Sequence, residues 1–212
     1  MANITPASEM LRDSELLRVS PVQARSNKRL TAILDAAATL IQQKGYEELT
    51  TAAVAHEAGA SIGTVYRYFL DRVDLLKALA TRNFERTTTR FFDELRSAKP
   101  KSPSEAIDIV FDLYVDLYRT ETGFRSLRMG DVLDLRPLVA PTASRRAAET
   151  LAAFFGAQYS MTVDEKFIHH LELNFITVDA LLARAFIASE KGDPAFIDAA
   201  RHASKIVAEK LV

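Results

Sequence analysis

The stretch that decides the fold of this chain reads Ala58-Gly59-Ala60-Ser61-Ile62-Gly63-Thr64-Val65-Tyr66-Arg67-Tyr68-Phe69. Gly59 can adopt the left-handed conformation that ends a helix, and the side-chain oxygen of Ser61 can cap the start of the next one. In that second helix Val65 and Phe69 lie four residues apart and share a face. We therefore predict two helices that meet at a tight turn, the second with one packed face and one exposed face.

The exposed face carries Gly63, Tyr66 and Arg67. A glycine inside a helix costs about 1 kcal/mol relative to alanine, so Gly63 needs a reason, such as the close approach of another backbone. Guanidinium and phenol groups suit the phosphates and base edges of DNA. These features predict a helix-turn-helix that reads the major groove, and the alternative is a buried helical hairpin whose tyrosines only pack.

A known signature agrees with this region in the order and spacing of many positions. They are Thr50-Thr51, Val54-Ala55, Ala58-Gly59-Ala60-Ser61, Gly63-Thr64, Tyr66, Tyr68-Phe69, Arg72 and Leu75-Leu76. In these positions the chain resembles the DNA-binding signature of TetR-type repressors, over about Asn27 to Leu79. The remainder of the chain resembles that family only in its helical plan.

The resemblance implies roles for individual side chains, one set reading bases and a second set holding phosphates. The groove-facing set is Ile62, Gly63, Thr64, Tyr66 and Arg67, and the phosphate-holding set is Thr51, Tyr68 and Arg72. Ala52 departs from members that place a basic, base-reading residue there, which implies a different operator sequence or fewer contacts. We expect Arg67 to be the main base reader, because a guanidinium can bond guanine bidentately.

Composition narrows the class of protein. The chain has 212 residues, 48% of them hydrophobic, with seven glycines, seven prolines and no tryptophan, which favours a mostly helical globular protein. Without cysteine, disulfides and thiolate chemistry are excluded. No uncharged apolar run reaches the roughly 20 residues of a membrane span and no secretory leader precedes Met10, so we expect a cytoplasmic protein that does not bind membranes. The net charge is −1, so affinity for DNA has to come from where the charges sit.

Apolar periodicity and capping signals predict an all-α fold, in which an N-terminal three-helix helix-turn-helix DNA-binding domain precedes a helical-bundle regulatory and dimerisation domain. A helix over about 74–96 would span about 35 Å and could tie the DNA reader to the rest of the protein. The other helices are expected at about 27–44, 103–120 and 141–159, from a capping box at Thr162 to Lys191, and from Pro194 onward, with short bent helices between Phe124 and Leu138.

Three segments follow from this organisation: a flexible N-terminal arm at 1–25, the helix-turn-helix domain at 26–73, and a ligand-binding and dimerisation domain at 74–212. The arm contains Pro6 and Pro21 and little apolar pattern, which favours disorder. In the alternative, basic residues in the arm and just beyond it lie along the DNA. These residues are Arg18, Arg25, Lys28 and Arg29.

The last two long helices are predicted to form a homodimer interface. Reading both halves of a double-stranded operator requires two recognition helices about 34 Å apart, which needs a two-fold dimer. The family resemblance also places dimerisation on these helices. The alternative is that they complete a monomeric bundle.

Polar side chains among apolar neighbours in the second domain indicate an effector pocket. Tyr114 and Tyr118 share a helical face, and so do His170, Asn174 and Thr177 on a later helix. Core tyrosines and a hydrogen-bonded asparagine explain the same pattern equally well. The resemblance implies that a small lipophilic or amphipathic effector enters the helical body and releases the repressor from a pseudo-palindromic operator.

No catalytic residue, cofactor or metal site is predicted. His56-Glu57 lacks the second histidine, at Ala60, that a zinc-binding helix needs, and no phosphate loop or nucleophile elbow is present. His169 and His170 are adjacent and therefore project about a third of a turn apart, which disfavours joint metal binding. We expect a DNA-binding transcriptional regulator, and the rival interpretations are an effector-independent architectural or occlusion protein and a helical enzyme.

Overall fold

The computed structural model describes residues 24–128 and 142–209, which form nine α-helices and no strand. The helices are α1 (Ala24–Lys44), α2 (Thr51–Glu57), α3 (Ile62–Tyr68), α4 (Arg72–Ala98), α5 (Pro103–Thr120), α6 (Phe124–Leu127), α7 (Ala143–Tyr159), α8 (Glu165–Ala185) and α9 (Pro194–Glu209). The predicted all-α fold is confirmed. None of these nine helices is long and apolar enough to span a membrane.

Packing divides the described residues into two compact units. The N-terminal unit contains residues 24–86 and 122–128, and the C-terminal unit contains residues 87–121 and 142–209. Helix α4 contributes residues to both. A division by packing does not test where DNA binding and dimerisation reside, so the functional boundary after residue 73 stays a prediction.

Two predicted segments fall largely outside this description. Residues 1–23 of the predicted flexible arm lie outside the described residues, and α1 begins at Ala24. Of the segment predicted to form short bent helices, Phe124–Leu127 is helical, whereas residues 129–141 lie outside the described residues.

An apolar stripe on α1 forms part of the core of the N-terminal unit. Its five residues follow helical spacing in the sequence and are all buried: Leu30, Ile33, Ala37, Leu40 and Ile41. Helix α1 packs against α2 and α6, and α2 packs against α3. Helix α1 is therefore the scaffold on which the helix-turn-helix rests.

A buried arginine joins α4 to α1. The Arg82 side chain donates from Nη1 to Oδ1 of Asp35 at 2.7 Å and from Nη2 to the carbonyl of Leu34 at 3.0 Å. Arg82 is 7% exposed. Because a buried guanidinium is stable only with charged or polar partners, these bonds fix the first half of α4 beside α1.

In the C-terminal unit, α8 packs against α7 and α9, and α5 packs against α9. Two phenols of α5 also meet one carboxylate of α8. Tyr114 and Tyr118 donate to the same Oδ1 of Asp179, at 2.6 and 2.8 Å. Both tyrosines are 1% exposed. Their hydroxyl groups therefore have a structural partner 65 and 61 residues away in the chain.

Helix α8 begins close to its predicted start but ends earlier than predicted. The cap is Asp164, whose Oδ1 accepts from the N–H of Phe167 at 2.7 Å. Arg145 of α7 donates to both carboxylate oxygens of Glu165 at 2.7 and 2.8 Å, which holds the pKa of the Glu165 carboxyl below its usual range.

The end of α8 is set by the loop that follows it. The helix stops at Ala185, whose carbonyl accepts from the N–H of Asp193 at 2.9 Å. Gly192 has a φ of +81°, and a Cβ there would lie 2.8 Å from the ring of Phe186. The loop therefore folds back onto the last helical turn, which is why the helix does not continue to Lys191.

Candidate functional site

The turn between α2 and α3 is built from backbone hydrogen bonds around Gly59, whose φ is +58°. The N–H of Ala60 donates to the carbonyl of Ala55 at 2.8 Å, and the N–H of Gly59 donates to the carbonyl of His56 at 3.1 Å. This pair of bonds is the Schellman ending of a helix, in which a left-handed glycine satisfies the last carbonyls. The predicted role of Gly59 is confirmed.

Side-chain caps start both helices of the motif. Thr50 Oγ1 accepts from the N–H of Ala53 at 3.1 Å, and Ser61 Oγ accepts from the N–H of Thr64 at 3.2 Å. Thr50 is therefore the N-cap of α2. The hydroxyl of Thr51 instead donates to Tyr66 Oη at 3.2 Å, which joins α2 to the exposed face of α3.

Helix α3 has the predicted packed and exposed faces. Val65 and Phe69 are fully buried, whereas Ile62 is 47% exposed and Tyr66 is 42% exposed. Four of the five predicted groove-facing residues are exposed: Ile62, Gly63, Tyr66 and Arg67. The fifth, Thr64, is half-buried. This division of the helix confirms the packing prediction, while the DNA contacts themselves stay predictions.

Gly63 has no structural reason to be a glycine among the described residues. A Cβ built at this position would come no closer than 3.9 Å to the protein, at Ser61 Oγ. That distance is an ordinary van der Waals contact, and the residue is helical. The folded N-terminal unit therefore has room for a methyl group at Gly63.

The guanidinium of Arg67 contacts the neighbouring phenol. Nη2 donates to Tyr68 Oη at 3.1 Å, and Cζ lies 5.1 Å from the centroid of that ring. Tyr68 Oη in turn donates to the carbonyl of Ser26 at 3.3 Å. Tyr68 is 1% exposed, so it lies in the core of the N-terminal unit. Its phosphate contact, which the family resemblance implies, stays a prediction.

Basic side chains flank the motif at two places. Arg72 is exposed and donates from Nη1 to the carbonyl of Glu47 at 3.0 Å, which joins the start of α4 to the loop before α2. On α1 the exposed Lys28 and Arg29 line an open groove of about 430 Å³ whose other wall includes residues 58–61 of the turn. Cations at these positions suit the phosphates on either side of a groove.

The five predicted effector-binding residues are not brought together into one pocket. Tyr114 and Asn174 line a cavity of about 20 Å³ in the C-terminal unit, with room for about one water molecule. Tyr118 is bonded to Asp179 instead. His170 is half-buried, and its Nδ1 lies 2.7 Å from the carbonyl of Lys166 in the same helix. Thr177 is exposed.

Two further features of that unit bear on function. The Oδ1 atom of Asn174 is buried and has no hydrogen-bond partner among the described residues, although its Nδ2 lies 3.4 Å from Ser204 Oγ. Large apolar side chains are exposed on α8 and α9, at Leu173 (45%), Ile176 (49%) and Ile206 (41%). The sequence predicts that Ile206 faces a partner, but it does not single out Leu173 and Ile176, although the i, i+3 spacing of that α8 pair, off the buried face, was a usable signal. In the described ranges no three His, Asp or Glu side chains group into a metal site.

Comparison with protein families gives two matches that together cover most of the chain. The family model described as bacterial regulatory proteins, tetR family, matches residues 33–79. A second model, described as the tetracyclin repressor-like C-terminal domain, matches residues 101–207, which is half of the chain. The first match contains α2, the turn and α3, and the second contains α5 to most of α9.

Curated relatives are similar over less than half of the chain. The HTH-type transcriptional repressor KstR of Rhodococcus jostii is 43% identical over 63 residues, which is 30% of this chain and 30% of that protein. KstR of Mycolicibacterium smegmatis is 37% identical over 86 residues, which is 41% of this chain and 38% of that protein. The match thus spans about a third of the length of these relatives.

Solved structures are similar over nearly the whole fold. A TetR-family transcriptional regulator from Streptomyces coelicolor superposes with a TM-score of 0.75 at 32% identity, covering 87% of this chain and 99% of the other. RolR in complex with resorcinol superposes with a TM-score of 0.56 at 21% identity, covering 88% and 95%. The second similarity concerns the fold alone. Both agree with a helix-turn-helix domain followed by a helical C-terminal domain.

Proposed function

Because the chain belongs to the TetR family of bacterial regulatory proteins, we propose that it is a cytoplasmic transcriptional repressor that binds a pseudo-palindromic operator as a homodimer and is released by a small-molecule effector. One observation carries the proposal. Helix α3 is anchored by the fully buried Val65 and Phe69, and this leaves Tyr66 and Arg67 exposed for DNA. A short helix held in this way is suited to the major groove.

The side chains of α3 and its flanks divide into groove contacts and contacts with the DNA backbone. We assign base contacts to the groove-facing set named above and phosphate contacts to Thr51 and Arg72 on its flanks. Arg72 supports this assignment because its guanidinium is exposed, while one of its nitrogens is hydrogen-bonded to the carbonyl of Glu47. A charge held at the edge of the motif can fix the register of α3 without reading sequence.

This division predicts different effects for two arginine substitutions. Arg67→Ala should remove discrimination at one base pair of each half-site, by about 1–3 kcal/mol, because a bidentate guanine contact is lost. Arg72→Ala should weaken binding to all sequences alike and lower the salt dependence of binding, because a phosphate contact is lost. Titrating both variants against a panel of single-base operator variants measures both effects. Equal, sequence-independent losses for the two variants would contradict the assignment.

Dimerisation is supported by the exposed apolar residues of the last two helices. A two-fold operator needs two copies of α3 in fixed register, and isologous contacts between identical helices provide that. Leu173 and Ile176 lie three residues apart on α8 and are about half exposed, and Ile206 adds a third apolar side chain on α9. Burying such residues against a second copy would stabilise the dimer.

The effector pocket is supported by the cavity beside Asn174. Its other walls are largely apolar, and the unpartnered Oδ1 is an acceptor for one donor group. A molecule that is mostly apolar with one hydroxyl or amine fits this chemistry. The cavity holds only about 20 Å³, so its side chains have to move to admit such a molecule. By linkage, an effector that weakens operator binding must itself bind less tightly to the operator complex.

A thermal screen tests the effector. Lipophilic molecules with one hydrogen-bond donor are expected to raise the melting temperature of the protein and, at the same concentrations, to weaken operator binding. An architectural protein would bind DNA with no such response to any compound, and turnover of a stabilising compound would point to an enzyme. A hit that stabilises the protein while leaving operator affinity unchanged would contradict effector release.

A further inference from the structure

We infer that Tyr68 is a positioning residue that orients the guanidinium of Arg67 for base reading, and that it does so from the core, without touching DNA. The inference rests on the proposed function, because it assigns a role to a side chain of the same recognition helix. It replaces the phosphate contact implied by family resemblance with an indirect role.

The phenol oxygen of Tyr68 takes part in two hydrogen bonds. Tyr68 Oη lies 3.3 Å from the carbonyl of Ser26 and 3.1 Å from Nη2 of Arg67. A backbone carbonyl only accepts and a guanidinium only donates. The single O–H of Tyr68 therefore goes to Ser26, and the phenol oxygen accepts from Arg67.

This arrangement leaves Tyr68 without a free O–H group to donate to a phosphate oxygen. A phosphate oxygen accepts hydrogen bonds, so a phenol can hold it only by donating. The donor of Tyr68 is used by Ser26, and the residue is 1% exposed. Contact with DNA would require breaking that bond and moving the ring out of the core, away from Val65 and Phe69.

The contact with Tyr68 restricts the conformations of the Arg67 side chain. An exposed arginine loses up to about 2 kcal/mol of side-chain conformational freedom when it is fixed on a partner. Here one nitrogen is already held by Tyr68, and Cζ lies 5.1 Å from its ring centroid. A guanidinium has five N–H donors, so a bidentate fork toward guanine remains available. Part of the ordering is therefore complete before DNA binds.

The anchor of this arrangement lies far away in sequence. Ser26 is 42 residues before Tyr68 and belongs to the first turn of α1, just after the residues that the structure does not describe. The start of α1 thereby fixes the phenol, and the phenol fixes the base-reading side chain. A comparable bond from Thr51 holds Tyr66 on the same face.

The test is a double-mutant cycle between Tyr68→Phe and Arg67→Ala on duplexes selected from a random library. Tyr68→Phe keeps the buried ring and removes only the hydroxyl. We expect it to reduce discrimination at the base pair read by Arg67 by roughly 3- to 10-fold, the scale of one hydrogen bond, with little change at other base pairs. In the Arg67→Ala background the same substitution should change nothing further.

The control is Tyr159→Phe, which removes a half-buried hydroxyl of the C-terminal unit that donates to the carbonyl of Pro100 at 3.0 Å, and it should leave base discrimination unchanged. An equal loss of affinity on every sequence, in both Arg67 backgrounds and with a lower salt dependence, would show that Tyr68 holds a phosphate and would overturn the inference. So would unchanged discrimination in a folded Tyr68→Phe variant.

A measurement on the free wild-type protein separates this inference from the proposed function and does not depend on the variant folding. Nuclear magnetic resonance relaxation of arginine Nε–H groups should show Arg67 more ordered than the exposed Arg29 of α1. An Arg67 side chain as mobile as Arg29 would overturn the inference even if operator binding is observed. An ordered Arg67 in a protein that selects no DNA sequence would refute the proposed function and the base-reading role, while the ordering of Arg67 by Tyr68 would stand.

Discussion

Gly63→Ala is expected to weaken operator binding by roughly 10- to 100-fold while leaving the free protein as stable as the wild type or more stable. Alanine is favoured over glycine in a helix by about 1 kcal/mol, and an added Cβ meets nothing in the described residues closer than 3.9 Å. The methyl group would instead project from the face of α3 that we assign to the major groove. Overpacking a tight interface typically costs about 1–3 kcal/mol, which gives the expected loss of affinity.

Urea denaturation and operator titration of the same preparation measure the two effects. Gly156→Ala is a matched control, because Gly156 is also helical but lies in α7 of the C-terminal unit, with Val163 Cγ2 at 3.2 Å from an added Cβ. It should leave operator affinity unchanged. If Gly63→Ala bound the operator as tightly as the wild type, the glycine would not be explained by close approach to DNA.

Ile176→Asp is expected to convert the protein into a monomer and to reduce operator affinity by at least about 100-fold. Ile176 is 49% exposed on α8 beside Leu173, and burial of an unpaired carboxylate in a dimer interface is strongly unfavourable. A monomer would contact one half-site at a time and would lose the advantage of binding two linked sites.

Light scattering at micromolar concentration and operator titration measure these changes together. Ala157→Asp is the control, since it adds the same charge at an exposed position of α7 outside the proposed interface. A wild-type protein that is monomeric at this concentration would contradict the homodimer directly. An Ile176→Asp variant that stays dimeric would show that the interface lies elsewhere.

The features that sequence predicts well here depend on residues close together in the chain. Gly59 ends α2 and Ser61 starts α3 through bonds that reach at most five residues. The burial of Val65 likewise follows from helical spacing and apolar character. Local steric and capping rules are sufficient for such elements.

Prediction from sequence is weakest where contacts between residues far apart in the chain determine the structure. Helix α8 was expected to continue to Lys191, but the return of Asp193 to Ala185 ends it earlier, and no periodicity records that fold-back. Tyr114 and Tyr118 share a helical face as predicted, but periodicity does not show that both donate to Asp179 on another helix. A period of 3.6 residues identifies a face but not the group that the face meets.

Tyr68 illustrates the same limit within the candidate site. The resemblance to TetR-type repressors implies a phosphate contact for Tyr68, whereas its side chain is 1% exposed. The helix ends at Tyr68, and Phe69 is extended with φ of −125°, so both side chains turn into the core. The partner that holds the phenol, the carbonyl of Ser26, is a backbone atom that no side-chain pattern marks.

The most direct test of operator reading by a dimer is selection of bound duplexes from a random DNA library by the full-length protein. Two copies of α3 in a two-fold dimer should enrich a pseudo-palindrome whose half-site centres are about one helical turn, roughly 34 Å or a small multiple of it, apart. Arg67→Ala should relax the same position in both halves of that sequence. Enrichment of a single unpaired half-site, or no enrichment at all, would contradict the account.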